Sequence, residues 1–256
     1  MVRMMTTALL GIAVLAVFAY AAACGALYLF QRSFIYFPQP PAINTPLTRV
    51  NTGADKVQVL ASVRSHAGPD ALVYFGGNGE DVSMSLQPLA EAFPDHALYL
   101  LHYRGYGASG GTPTEEALAQ DALALFDQVH TQHPNVVVIG RSLGSGVAVR
   151  LASQRPVSRL VLVTPYDSLQ ELAAAQFPFF PVCWLLHDKF ESGKYAAQVR
   201  APALLIAAEH DEVIPRASTE QLFARFKHGT ATLQVIPHVS HNTISEHPLY
   251  LQLLGS

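Results

Sequence analysis

The sequence predicts an α/β fold, a largely parallel sheet covered by helices on both faces. Two observations carry that prediction. From residue 47 onward, short β-branched or apolar runs alternate with longer segments of helical period, the pattern of strands buried on both faces. Of the 256 residues, 50% are apolar and 14% charged, which supplies one catalytic-sized core and excludes disorder as the main state. A net charge of −3 without a basic cluster argues against a nucleic-acid partner. Cys24 and Cys183 have no metal-ligand spacing, so neither a structural zinc site nor a disulfide framework is expected.

The first element is a helix outside that fold. No charged side chain lies between Arg3 and Arg32, and residues 8–30 are apolar almost throughout, a helical span of roughly 35 Å that matches a bilayer crossing. A cleaved signal peptide, with Arg3 as its basic region and Ala21, Ala22 and Ala23 at the cleavage site, is the competing reading, and lipoprotein processing before Cys24 is another. Tyr28, Phe34, Tyr36 and Phe37 suit a membrane interface beside Arg32, although residues 34–37 also read as a first strand. Arg3 with the amino terminus, weighed against Arg32, places the amino terminus inside and the folded part outside the cytoplasm. Residues 38–46, rich in proline, read as a linker, dividing the chain into an anchor at 1–32 and a catalytic domain at 33–256. The apolar run holds no residue of the reactive set described below, so anchor and chemistry are expected to be separable.

Strands are expected at 57–64, 71–75, 97–103, 136–140, 160–164, 203–208 and 232–236, each short and apolar. The best-marked helix begins at Thr112, where Thr112-Pro113-Thr114-Glu115 reads as a capping box with proline in the first turn. Leu118, Ala122, Leu125, Phe126 and Val129 then share one face and pack on the sheet.

The chemistry is expected at Gly140-Arg141-Ser142-Leu143-Gly144, which follows the strand 136–140 and precedes a helical run through 147–152. This is the strand, turn and helix setting of a G-x-S-x-G elbow, in which tight backbone around the serine excludes side chains two residues away. A helix N-cap is the bland alternative for Ser142. A serine hydroxyl needs an imidazole to take its proton and a carboxylate to orient the imidazole. Asp211, after the strand 203–208, and His241, after the last strand, follow Ser142 in the expected order. Asp167, just past another strand end, competes as the acid; His238 and His210 compete as the base; Glu212 reads as a loop-bracing charge, since a glycosidase carboxylate pair would leave Ser142 unexplained.

Two glycine-rich stretches mimic nucleotide sites. Residues 105–110 fit G-x-G-x-x-G, but the helix opens late and no acidic residue is placed for a ribose. Gly76-Gly77-Asn78-Gly79 lacks a following Gly-Lys-Ser/Thr, which excludes a P-loop, and its backbone instead suits an oxyanion hole with the amide of Leu143.

With these residues in place, the chain from about Phe34 onward resembles the α/β-hydrolase superfamily, specifically membrane-anchored ABHD-type serine hydrolases. The resemblance rests on residues 34–38, Gly77-Asn78, Tyr103-Arg104-Gly105-Tyr106-Gly107, Pro113-Thr114-Glu115, the elbow, Thr164-Pro165-Tyr166-Asp167-Ser168 and residues 211–215. It implies Ser142 as nucleophile, Asp211 as acid, His241 as base, and the amides of Leu143 and Asn78 as oxyanion donors, with no metal or organic cofactor. Many relatives carry His-Gly where this chain has Gly76-Gly77. The segment 167–200 occupies the family's lid position, and Phe177, Phe179, Phe180, Val182, Trp184, Leu185 and Leu186 suit either an acyl pocket, a membrane-facing surface or a plain core helix. The expected activity is hydrolysis of carboxylic esters or thioesters of lipid-like acyl groups, with a serine peptidase or a non-catalytic tethered binding protein as alternatives.

Overall fold

The computed structural model describes residues 2–53 and 57–255, with side chains from Met5 onward, so the Arg3 side chain in the orientation argument lies outside the described set. The elements run α1 (Val2–Ile35), β1 (Leu47–Val50), β2 (Val59–Arg64), β3 (Asp70–Phe75), α2 (Leu86–Ala92), β4 (Ala97–His102), α3 (Glu115–His130), β5 (Asn135–Arg141), α4 (Leu143–Ala152), β6 (Arg159–Val163), α5 (Leu169–Gln176), α6 (Val182–Leu185), α7 (Ser192–Ala196), β7 (Ala203–His210), α8 (Arg216–Arg225), β8 (Ala231–Ser240) and α9 (Pro248–Gly255). The eight strands form one sheet in the order β1-β2-β4-β3-β5-β6-β7-β8. The β1/β2 and β2/β4 pairs are antiparallel and the remainder parallel.

Alternation along the strands divides the core into two layers. Val73, Phe75, Val138, Leu162 and Leu205 face α3, α4, α7 and α8. Leu72, Tyr74, Ile139, Val161 and Ile206 face α2 and α9. Leu118, Ala122, Leu125, Phe126 and Val129 of α3 are all buried, as the helical spacing requires.

Four local readings need correction. Residues 34–37 form no strand: α1 continues through Ile35, so a division at 32/33 falls within the helix. The edge strand β1 was not foreseen, because Leu47-Thr48-Arg49-Val50 is short and partly polar; it pairs with β2 through Val50 and Val59. The cap of α3 is Thr114, whose Oγ1 accepts the N–H of Ala117 at 3.1 Å, two residues beyond the expected Thr112. β8 extends to Ser240 through Pro237, which an edge strand tolerates because one side of its backbone needs no ladder bond. That extension, with a register break near His210, carries the chain to His241 at the carboxyl end of the sheet.

Candidate active site

Ser142 sits between β5 and α4 with φ 49° and ψ −118° and makes no side-chain cap bond, so the N-cap alternative is not realised. A non-glycine residue in this region is strained and must be held by its surroundings. Its N–H donates to Val163 O at 2.9 Å, and its carbonyl accepts both the N–H of Ser145 at 2.9 Å and the Ser145 hydroxyl at 2.7 Å. The flanking glycines are sterically required: a Cβ on Gly144 would collide with the carbonyls of Phe75 and Gly76, and one on Gly140 with the carbonyl of Gly144.

The structure brings Ser142, His241 and Asp211 together. His241 Nε2 lies 3.0 Å from Ser142 Oγ, and Nδ1 lies 3.0 and 2.9 Å from the two Asp211 carboxylate oxygens. Asp211 Oδ1 also accepts the N–H groups of Val213 and Ile214 at 3.0 and 2.7 Å, an Asx-type turn that fixes the carboxylate as the chain leaves β7. Glu212 accepts the His241 N–H at 3.2 Å, which gives it the loop-bracing place expected of it.

The rival residues lie elsewhere. Asp167 is buried against Arg225 at 3.6 Å, with its backbone bonded to Ser218 and Gly193. Burial pushes its carboxyl up while the Arg225 guanidinium pulls it down. His210 and His238 are exposed and face Glu209 at 3.7 and 3.5 Å, on the outer side of β7 and β8.

The loop after β3 passes beside the serine, where a Cβ on Gly77 would lie 3.8 Å from that of Ser142. Among the described residues, the N–H groups of Leu143 and Asn78 have no protein acceptor, whereas the N–H of Gly77 is taken by Glu80 Oε2 at 2.9 Å. Glu80 was not foreseen as part of the site. Its Oε1 accepts the hydroxyls of Tyr74 and Ser85 at 2.8 and 2.7 Å, and its Oε2 faces Arg141 at 3.6 Å. Burial, reinforced by the Glu80 carboxylate, pushes the Tyr74 hydroxyl well above its usual range and keeps it a donor. Glu80 lies three residues after Gly77, the spacing at which a side chain reaches back to a turn amide, and that was the available signal. The 105–110 stretch also has a use: its Tyr106 donates to Asn78 O at 2.5 Å, and Tyr103 just before it donates to Gly76 O at 2.9 Å, orienting the same loop.

Above Ser142 opens a cavity of about 770 Å³, within the size range of small-molecule sites. Its walls include Leu172, Phe177, Phe180 and Leu186 from the lid segment, and Leu27, Gln31, Phe34 and Ile35 from α1. The expectation that the apolar helix stands apart from the site is therefore corrected, because α1 supplies one wall. Such an arrangement can position an acyl carbonyl over Ser142 with an apolar chain beside α1.

A family described as the α/β hydrolase fold matches residues 70–181, and one described as serine aminopeptidase S33 matches residues 188–248. An uncharacterized protein of Mycobacterium tuberculosis is 35% identical over 229 residues, covering 83% of this chain and 80% of that protein. Protein bem46 of Schizosaccharomyces pombe is 27% identical over 268 residues, covering 91% and 87%. Lysophosphatidylserine lipase ABHD12 of Macaca fascicularis is 29% identical over 188 residues, covering 64% of this chain but 46% of that protein. Among solved structures, the Pyrococcus furiosus esterase Pf2001 superposes with a TM-score of 0.69 at 19% identity, covering 86% of this chain and 96% of that one.

Proposed function

The chain belongs to the α/β-hydrolase family, among its ABHD-type members, and from that premise we propose that it is a serine hydrolase of carboxylic esters or thioesters with lipid-like acyl groups. The observation that carries the reading is the line from Asp211 through His241 to Ser142 Oγ, with each link at 2.9 to 3.0 Å. Ser142 Oγ attacks the acyl carbonyl as its proton passes to His241 Nε2, which then protonates the departing alcohol or thiol. Water attacks the acyl-enzyme, giving its proton to the same nitrogen, and the carboxylic acid leaves as Ser142 recovers its proton. Asp211 holds the imidazole with Nδ1 protonated and stabilises the imidazolium. The N–H groups of Leu143 and Asn78 take the oxyanion.

The 31-residue stretch Met5–Ile35 is long and apolar enough to cross a membrane. We assign it as an uncleaved anchor, with the part of the chain that follows α1 outside the cytoplasm, supported by Arg3 together with the amino terminus at one end of the run against Arg32 alone at the other. The apolar cavity walls favour a lipid-like acyl group, as does the lipase activity named for the ABHD12 relative. The serine aminopeptidase match makes amide cleavage the competing chemistry on the same parts.

A substrate panel separates the two. Wild type is expected to hydrolyse acyl esters and thioesters in preference to aminoacyl amides, with activity lost in Ser142→Ala. Preferential cleavage of an aminoacyl amide would transfer the assignment to a peptidase.

A further inference from the structure

The carboxyl-terminal part of α1 is fastened to the lid segment along its length. The Tyr20 hydroxyl donates to Phe179 O at 2.9 Å, and its ring stacks on Phe180 at 5.7 Å. Gln31, buried at 7% exposure, donates to Leu185 O at 2.9 Å and accepts the His187 N–H at 2.6 Å. Arg32 closes the seam on Asp188 at 3.0 Å. From Tyr20 to Arg32 these contacts follow about 18 Å of helix. Tyr20 lies in the middle of the uncharged apolar run, so a segment touching it lies at membrane depth wherever α1 crosses a bilayer.

The same segment turns Phe179 and Trp184 outward, at 84% and 83% exposure the most exposed large apolar side chains among the described residues. Beside α1 they extend an apolar surface that water would solvate poorly. Behind them, the cavity lies between Leu27 and Phe34 of α1 and Phe177 and Phe180 of the lid segment, with Ser142 at its floor. Asn78 Nδ2 donates to Ile35 O at 2.8 Å, tying the end of α1 to the loop beside the serine.

We propose that the acyl chain of the substrate reaches Ser142 sideways out of the bilayer, through the seam between α1 and residues 177–186, with Phe179 and Trp184 seated in the same leaflet. The occupant is the acyl chain of a membrane lipid, because the seam's walls continue the apolar surface of the spanning helix itself. This rests on the hydrolase reading and adds the source of its substrate.

Trp184 is the only tryptophan in the chain, so its fluorescence reports the position of this segment without a label. Full-length wild-type protein is reconstituted in phosphatidylcholine vesicles, and quenching by phosphatidylcholine doxyl-labelled on its acyl chain is compared with quenching by aqueous iodide. Strong lipid quenching with shielding from iodide is expected. Full iodide access without lipid quenching overturns the membrane seat, whatever the protein hydrolyses. In a second arm, Leu27→Trp narrows the α1 wall and is expected to lower the ratio of palmitoyl to acetyl ester kcat/KM about tenfold. An unchanged ratio overturns α1 as a wall of the acyl site. Phosphonate labelling of Ser142 in both proteins separates these outcomes from failure of the hydrolase assignment.

Discussion

The Glu80 carboxylate accepts the backbone N–H of Gly77 at 2.9 Å, which removes that amide from the candidate oxyanion site and leaves its neighbour Asn78. The same side chain reaches Tyr74, Ser85 and Arg141, the residue before the nucleophile. One carboxylate thus joins the β3 loop to the elbow.

Glu80 is on this account a positioning residue. Glu80→Gln is expected to lower kcat by about 10-fold to 100-fold, somewhat less than loss of a whole oxyanion donor, while KM for a short aryl ester stays nearly constant. A rise in KM with kcat intact would show that Glu80 shapes binding instead.

Asp211→Asn is expected to cut turnover on the order of 10⁴-fold, because the amide cannot hold the imidazole tautomer or stabilise its cation. Asp167→Asn is expected to have a far smaller effect, since Asp167 faces Arg225 and not His241. Steady-state kinetics on both variants decides it; greater damage from the Asp167 change would reverse the assignment of the acid.

The cap of α3 is tested by stability alone. Thr114→Ala is expected to cost about 1 kcal/mol in denaturant unfolding of the full chain, and Thr112→Ala close to nothing. Equal costs would return the helix start to Thr112.

Those two threonines also show what the sequence could convey. The elbow and the apolar face of α3 depend on spacing within one stretch of chain, whereas Asp211 and His241 were read from their places after β7 and β8. Thr112-Pro113-Thr114-Glu115 was read as starting the helix at Thr112, and the structure caps it at Thr114. The last strand was read from its apolar run as 232–236, and its place at the sheet edge lets it continue through Pro237. Gln31 was invisible for another reason, since its partners in the lid segment lie more than 150 residues away, and Glu80 was signalled only by its three-residue spacing from Gly77.

Acid sensitivity has a named contributor. His102, 2% exposed, lies 2.7 Å from the Ser62 hydroxyl, and burial lowers its pKa. With the folded-state pKa below the unfolded value of about 6.5, the unfolded chain binds the proton more readily. Stability is therefore full above that value and declines as the pH falls through and below it. His102→Gln is expected to flatten the dependence of thermal stability between about pH 7 and 5 relative to wild type. His96, whose pKa burial also lowers, supplies a remainder of the same sign. An unchanged slope in the variant would exclude His102 as the source.

In the proposed mechanism Ser142, activated by His241, is the nucleophile. Intact-mass analysis and peptide mapping after treatment with a fluorophosphonate test it most directly, using wild type, Ser142→Ala and His241→Ala proteins shown to be folded by circular dichroism. A single phosphonyl adduct on Ser142 is expected in wild type, none in Ser142→Ala, and labelling slowed by orders of magnitude in His241→Ala. Folded wild-type protein that takes no adduct, or an adduct that maps to another residue, would contradict it.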